Sequence, residues 1–99
     1  MSQNLVNKNN RMCMAWVGHN RLEPEIPCNS VAIIEPTHNF VIDGVYALNL
    51  CGSLELYRCS GLSCIAISDN DSSSLNAIDG QEFTSLVVGK VVGSMKFGI

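Results

Sequence analysis

Short apolar runs, separated by clusters of Gly, Pro, Asn, Asp and Ser, set the rhythm of this chain. Wherever a period can be read, it is two. Residues 12–17 predict a first short strand and 31–34, Val-Ala-Ile-Ile, a buried one. Pro24, Pro27 and Pro36 bar a helix in that stretch. Val41-Ile42-Asp43-Gly44 predicts a turn. Over 45–50 the alternation sets Tyr46, Leu48 and Leu50 on one face and Val45, Ala47 and Asn49 on the other. Cys51-Gly52-Ser53 predicts a tight hairpin into 54–59, where Leu54, Leu56 and Arg58 share a face opposite Glu55, Tyr57 and Cys59. Ser60-Gly61 predicts another turn, followed by a strand over 63–68. The Asp, Ser and Asn content of 69–80 marks a loop. Residues 83–97 read as one Val-rich strand, with Gly89 and Gly93 as bulges or bends. No window carries a helical period, and short strands at this spacing predict an all-β domain. The Asn-rich opening, 1–11, reads as a linker or disordered tail before a single domain over 12–99.

Composition sharpens this picture at two points. Hydrophobic residues make up 46% of the 99 and charged residues 15%, so a domain of this size has more apolar surface than one small core absorbs. A subunit interface would take up the excess. The net charge is −3, and the six Lys and Arg are scattered, which makes the chain by itself a poor phosphate binder. The five cysteines show neither zinc-knuckle nor Cys-x-x-Cys spacing and read as reduced thiols in a cytoplasmic protein, although Cys59 and Cys64 flank a predicted turn and could face each other. No apolar run is long enough to cross a membrane.

Few residues offer chemistry. His19 and His38 have no ligand partner at metal spacing and read as loop histidines. Asp69-Asn70-Asp71 resembles the start of a calcium loop but lacks its Gly and closing Glu. There is no dinucleotide or phosphate motif, so neither a cofactor nor a metal is expected. Trp16 reads as a core or interface anchor. Ser94-Met95-Lys96 places a serine and a lysine on one face of a strand, the weakest form of a Ser-Lys dyad.

Two stretches carry a resemblance. Asn20-Arg21-Leu22-Glu23-Pro24-Glu25-Ile26-Pro27, before the run at 31–34, resembles the nucleophile segment of LexA-like repressor peptidases, a Gly-Asp-Ser-Met-Glu-Pro-Thr pattern. Asp43-Gly44-Val45-Tyr46-Ala47-Leu48, followed by Leu54-Glu55-Leu56-Tyr57-Arg58, is similar to the family's Asp-Gly-(apolar)-Tyr strand and the strand bearing the catalytic lysine before an arginine. Ile67-Ser68-Asp69-Asn70 and Val88-Gly89-Lys90-Val91-Val92-Gly93 look like its closing strands. The likeness spans residues 14 to 97 and rests on the order and spacing of these motifs.

The resemblance implies a LexA/signal-peptidase-like β domain without its chemistry. The serine position falls at Arg21, which offers no nucleophile, and the lysine position at Tyr57, a poor base at neutrality. Members of the family cut a linker Ala-Gly or Cys-Gly bond. This chain has no Ala-Gly, and its Cys51-Gly52 falls in the predicted hairpin. The expected function is therefore the non-cleaving oligomerisation domain of a temperate-phage repressor, cytoplasmic in a bacterial host. It would associate with itself as a homodimer and in higher assemblies, and meet operator DNA only through a helix-turn-helix domain preceding this chain. The Met1 and Asn-rich start fits an origin inside the interdomain linker. An antirepressor protein is a further expected partner, since induction would need a route other than cleavage. The expected interface is the C-terminal segment, with Val88, Val91, Met95, Phe97 and Ile99. Two other readings stand beside it: an active self-cleaving Ser-Lys peptidase using another serine, and a free-standing β interaction module.

Overall fold

The computed structural model describes residues 12–61, 64–71 and 76–96. The expected linker at 1–11 and the interface candidates Phe97 and Ile99 lie outside these residues. Seven strands are described: β1 (Cys13–Val17), β2 (Ser30–Pro36), β3 (Gly44–Leu50), β4 (Ser53–Gly61), β5 (Ile65–Ser68), β6 (Asn76–Ile78) and β7 (Val87–Lys96). They form one antiparallel sheet in the order β1-β2-β7-β3-β4-β5-β6. A short helix, α1 (Gly80–Leu86), precedes β7. The all-β expectation holds.

The β3–β4 hairpin forms because Cys51 and Gly52 both adopt positive φ, 53° and 88°, the pairing that a two-residue turn between twisted strands requires. Gly52 N–H donates to Asn49 Oδ1 at 3.0 Å. Ser53 already belongs to β4, pairing with Leu50. β4 continues through Gly61, so Ser60-Gly61 is strand rather than turn.

The C-terminal half departs from the sequence expectation. Residues 76–78 pair with β5 instead of lying in a loop. Residues 80–86 are helical instead of extended. The Asp79 carboxylate accepts a hydrogen bond from Glu82 N–H at 2.7 Å and caps α1, and Phe83 is fully buried. The signal was an Asp three residues ahead of a Glu, the spacing of a capping box. A seven-residue helix is too short to show a period of its own.

β7 lies in the middle of the sheet, paired with β2 over 89–96 and with β3 over 87–90. The outer strands are β1 and β6, so along these paired stretches β7 has no open edge to offer a second subunit. Both pairings slip by one residue: Ile33 pairs with Gly93 but Ile34 with Val91, and Ala47 pairs with Gly89 but Leu48 with Val87. The bulged residues are thus Val92 and Val88, each one place before an expected glycine. Gly89 has a separate role. A Cβ there would sit 2.5 Å from the Glu35 carbonyl oxygen, so only glycine lets β7 approach β2 this closely.

Alternation along β3 places Tyr46 and Leu48 in one core and Val45 in another, one on each side of the sheet. The first core gathers Tyr46, Leu48, Cys59, Ile65 and Ile67 under Phe83 of α1, with Phe40, Leu50 and Tyr57 packed against it. Phe83 meets Tyr46 edge-on at 5.2 Å between ring centroids. The second core gathers Val17, Ala32 and Val45 under Leu22 and Ile26 of the 18–29 loop, with Leu56 and Val91 beside them. That loop is held by Asn29, in the left-handed region at φ 61°, whose N–H donates to the Val17 carbonyl at 2.8 Å.

Candidate functional site: a latched cleft and a bare sheet face

The 20–27 segment lies against the sheet through one β4 residue. Arg58 shares a face with Leu56, toward the 18–29 loop. Its guanidinium grips the Glu25 carboxylate in a two-pronged pair, Nη2 to Oε1 at 2.8 Å and Nε to Oε2, and Nη2 also donates to the Glu23 carbonyl at 2.8 Å. This contact holds the Glu25 carboxyl below its ordinary range and raises the guanidinium in turn. Asn70, just past β5, adds Nδ2 bonds to the Asn20 and Glu23 carbonyls at 3.2 and 3.0 Å, and its N–H donates to the Arg21 carbonyl at 2.8 Å.

The positions expected to replace the catalytic pair are not brought together. Arg21 Nε lies 3.4 Å from Asp69 Oδ2. Tyr57 faces the other way, into the Phe83 core. The β4 side chain that reaches the 20–27 segment is Arg58, one residue on from the expected position, because alternation turns successive side chains to opposite faces.

Beside this latch the strands part. β7 leaves β3 after Lys90, and a cleft of about 280 Å³ opens between them, lined by Glu25, Ile26, Gly44, Lys90, Val91 and Ser94 among others. A second hollow of about 400 Å³ adjoins it along Asp43, Arg58, Ser60 and Ser68. Ser94 lines the first, but the lysine there is Lys90 rather than Lys96, and its Nζ donates to the Val91 carbonyl at 3.4 Å and lies 5.8 Å from the Tyr46 ring centre. Cys51-Gly52 sits at the β3–β4 hairpin tip. His19 Nδ1 accepts from Arg21 N–H at 3.3 Å in a local turn. Cys59 is buried and Cys64 exposed, and all five cysteines are free thiols. Among the described residues no group of three or more His, Cys, Asp or Glu could hold a metal ion, and no helix is long and apolar enough to cross a membrane.

The other notable surface is bare sheet. Phe83 and α1 pack on one face of the β3–β5 half, and among the described residues nothing packs on the same face of β1, β2 and β7. Two cross-strand rows define it: Trp16–Val31–Met95 and Met14–Ile33–Gly93. Trp16 is 58% exposed, Met14 66% and Met95 49%, and Val31 and Ile33 are half-buried. β2, expected to be a buried run, is therefore buried only at Ser30, Ala32 and Ile34. Of the expected interface residues, Met95 lies on this open face, Val88 is exposed at its bulge, and Val91 turns inward onto the Val17–Leu22 core. The sequence marks Trp16 as a core or interface anchor but gives no such sign for Met14, Val31 and Ile33, because periodicity assigns residues to a common face without revealing whether that face is covered. Comparison with known family models and with curated proteins finds no match to this chain.

Proposed function

We propose that this chain is a non-enzymatic self-association domain. The carrying observation is the open β1–β2–β7 face, on which Trp16, Met14 and Met95 stand exposed without a charged side chain among them. Monomeric proteins rarely leave such a surface uncovered. Arg21 and Tyr57, pointing into different surroundings, support the absence of a Ser-Lys centre. The motif order resembles LexA-like repressors, most of all the C-terminal domain of temperate-phage CI repressors of the coliphage 186 type. On that likeness the domain gathers DNA-binding modules carried elsewhere in a repressor, in the host cytoplasm, and an antirepressor relieves it. Joining two weak operator contacts makes the second intramolecular and raises avidity by ~10²–10⁴. Sedimentation over a concentration series tests the reading: reversible assembly is expected, and a folded chain that stays monomeric at high micromolar concentration refutes it.

A further inference from the structure

We infer that the open face takes a second copy of this chain, packed face to face about a two-fold axis that runs across the strands. This rests on the self-association reading above and adds the surface, the symmetry and the contacts.

Charge favours a second copy as the occupant. The two rows contain Trp, Met, Val, Ile and Gly only, so identical patches meet without like charges in opposition. The chain carries net charge −3, which makes a neutral face the least repulsive approach for two copies. Charge borders the patch at one end only. Glu35 follows Ile33 on the same face of β2 and pairs across to Lys90 of β7, whereas Lys96 pairs with the buried Ser30 and turns to the opposite face from Met95. Glu35 is exposed. An axis across the strands reverses the strand direction of the second copy and carries the two Glu35 side chains to opposite ends of the interface. An axis along the strands would instead set Glu35 against Glu35.

Shape favours the same arrangement. Gly93 has no side chain, so the open face has a dent there, with Ile33 Cδ1 3.9 Å from the point a Cβ would occupy. Met95 stands two residues away on the same strand and face. The axis across the strands exchanges the two rows, so each Met95 falls over the Gly93 dent of the other copy and Val31 falls over Ile33. Face-to-face sheets pack in this way, with strands roughly aligned and side chains interdigitated. A patch of this kind covers on the order of 300–600 Å². Two of them make ~1,000 Å², the low end for specific interfaces, so the dimer is weak and forms in the micromolar range.

Trp16 is the only tryptophan, so its fluorescence reports directly on this face. The expected result is a concentration-dependent dimer in sedimentation, with emission shifting to shorter wavelength over the same range. Trp16→Glu is expected to weaken association at least ~10-fold. Gly93→Leu should do the same while leaving the monomer folded, since the site faces solvent and has room for a side chain; it decides the matter if Trp16→Glu does not fold. Met95→Gly and Gly93→Met should each weaken the dimer, and the double exchange should restore it, because each methionine then falls over the glycine of the other copy. If the wild type associates with unchanged emission and Gly93→Leu behaves like it, this face is not the interface and self-association proceeds elsewhere. If Gly93→Leu dissociates but the double exchange fails to restore, the stated symmetry is wrong. A wild type that remains monomeric overturns both this proposal and the broader reading, and leaves the face to a different protein.

Discussion

At the scale of single residues, burial sorts the five thiols. Burial pushes Cys59 up to about 12 by disfavouring its thiolate, and the thiolate is the reactive form. Cys13, Cys51 and Cys64 are exposed. A thiol reagent near neutrality should therefore modify those three quickly and reach Cys59 only after denaturation, which mass spectrometry of time points would check. The Arg58–Glu25 pair makes a second prediction. Its carboxyl is held low in the folded state, so the pair's stabilisation is present above the ordinary value of 4.5 and is lost as pH falls below it. The Glu25 side chain is 45% exposed, so solvent screens the pair and the contribution is about 0.5–1 kcal/mol. In urea titrations Glu25→Gln should lose about that much at neutrality, and the difference from wild type should shrink toward zero in acid.

At the scale of elements, β7 does the most to close the fold. It is the last of the described strands in sequence but lies between β2 and β3, so this sheet is not completed until β7 has joined it. Two glycines on it show how context decides one substitution. Gly89→Ala drives a Cβ into the Glu35 carbonyl at 2.5 Å and the Ile34 methyl at 2.6 Å and should cost ~1–3 kcal/mol. Gly93→Ala meets only ordinary contact and should stay within ~0.5 kcal/mol of wild type. Chemical denaturation of the two variants side by side measures the contrast, and equal losses would contradict the packing described.

At the scale of the whole molecule, the proposed self-association role makes predictions about chemistry and DNA. We expect no self-cleavage and no cutting of a linker peptide on long mildly alkaline incubation, followed by mass spectrometry; a discrete serine-dependent fragment would contradict this. The incubation should stay below pH 9.0. Above that, an unfolded Cys59 ionises while the buried one does not, so native stability declines as pH climbs toward about 12. The isolated chain should also bind DNA no better than a generic acidic protein, because its scattered cations release few counterions. A sequence-selective gel shift at physiological salt would reveal a basic face that the charge distribution does not suggest.

Local pattern was enough for the strand-rich class, the opposed faces of β3 and β4, and the hairpin at Cys51-Gly52, because a period of two and a turn dipeptide are properties of neighbouring residues. It was not enough for α1, whose single cap and one buried Phe span too few residues to register as a period. Nor could it place β7 in the centre of the sheet, or join Arg58 to Glu25 across 33 residues of chain. The candidate site divides in the same way. Arg21, Tyr57 and Met95 could be picked out by motif and composition, but only the folded sheet turns Tyr57 into the core, puts Arg58 on the latch and leaves Trp16 and Met95 on one open face. The sequence by itself determined which side chains share a side of each strand. The tertiary structure decided which of those sides is covered, because coverage depends on where α1 and the 18–29 loop dock, and that depends on contacts between residues far apart in the chain.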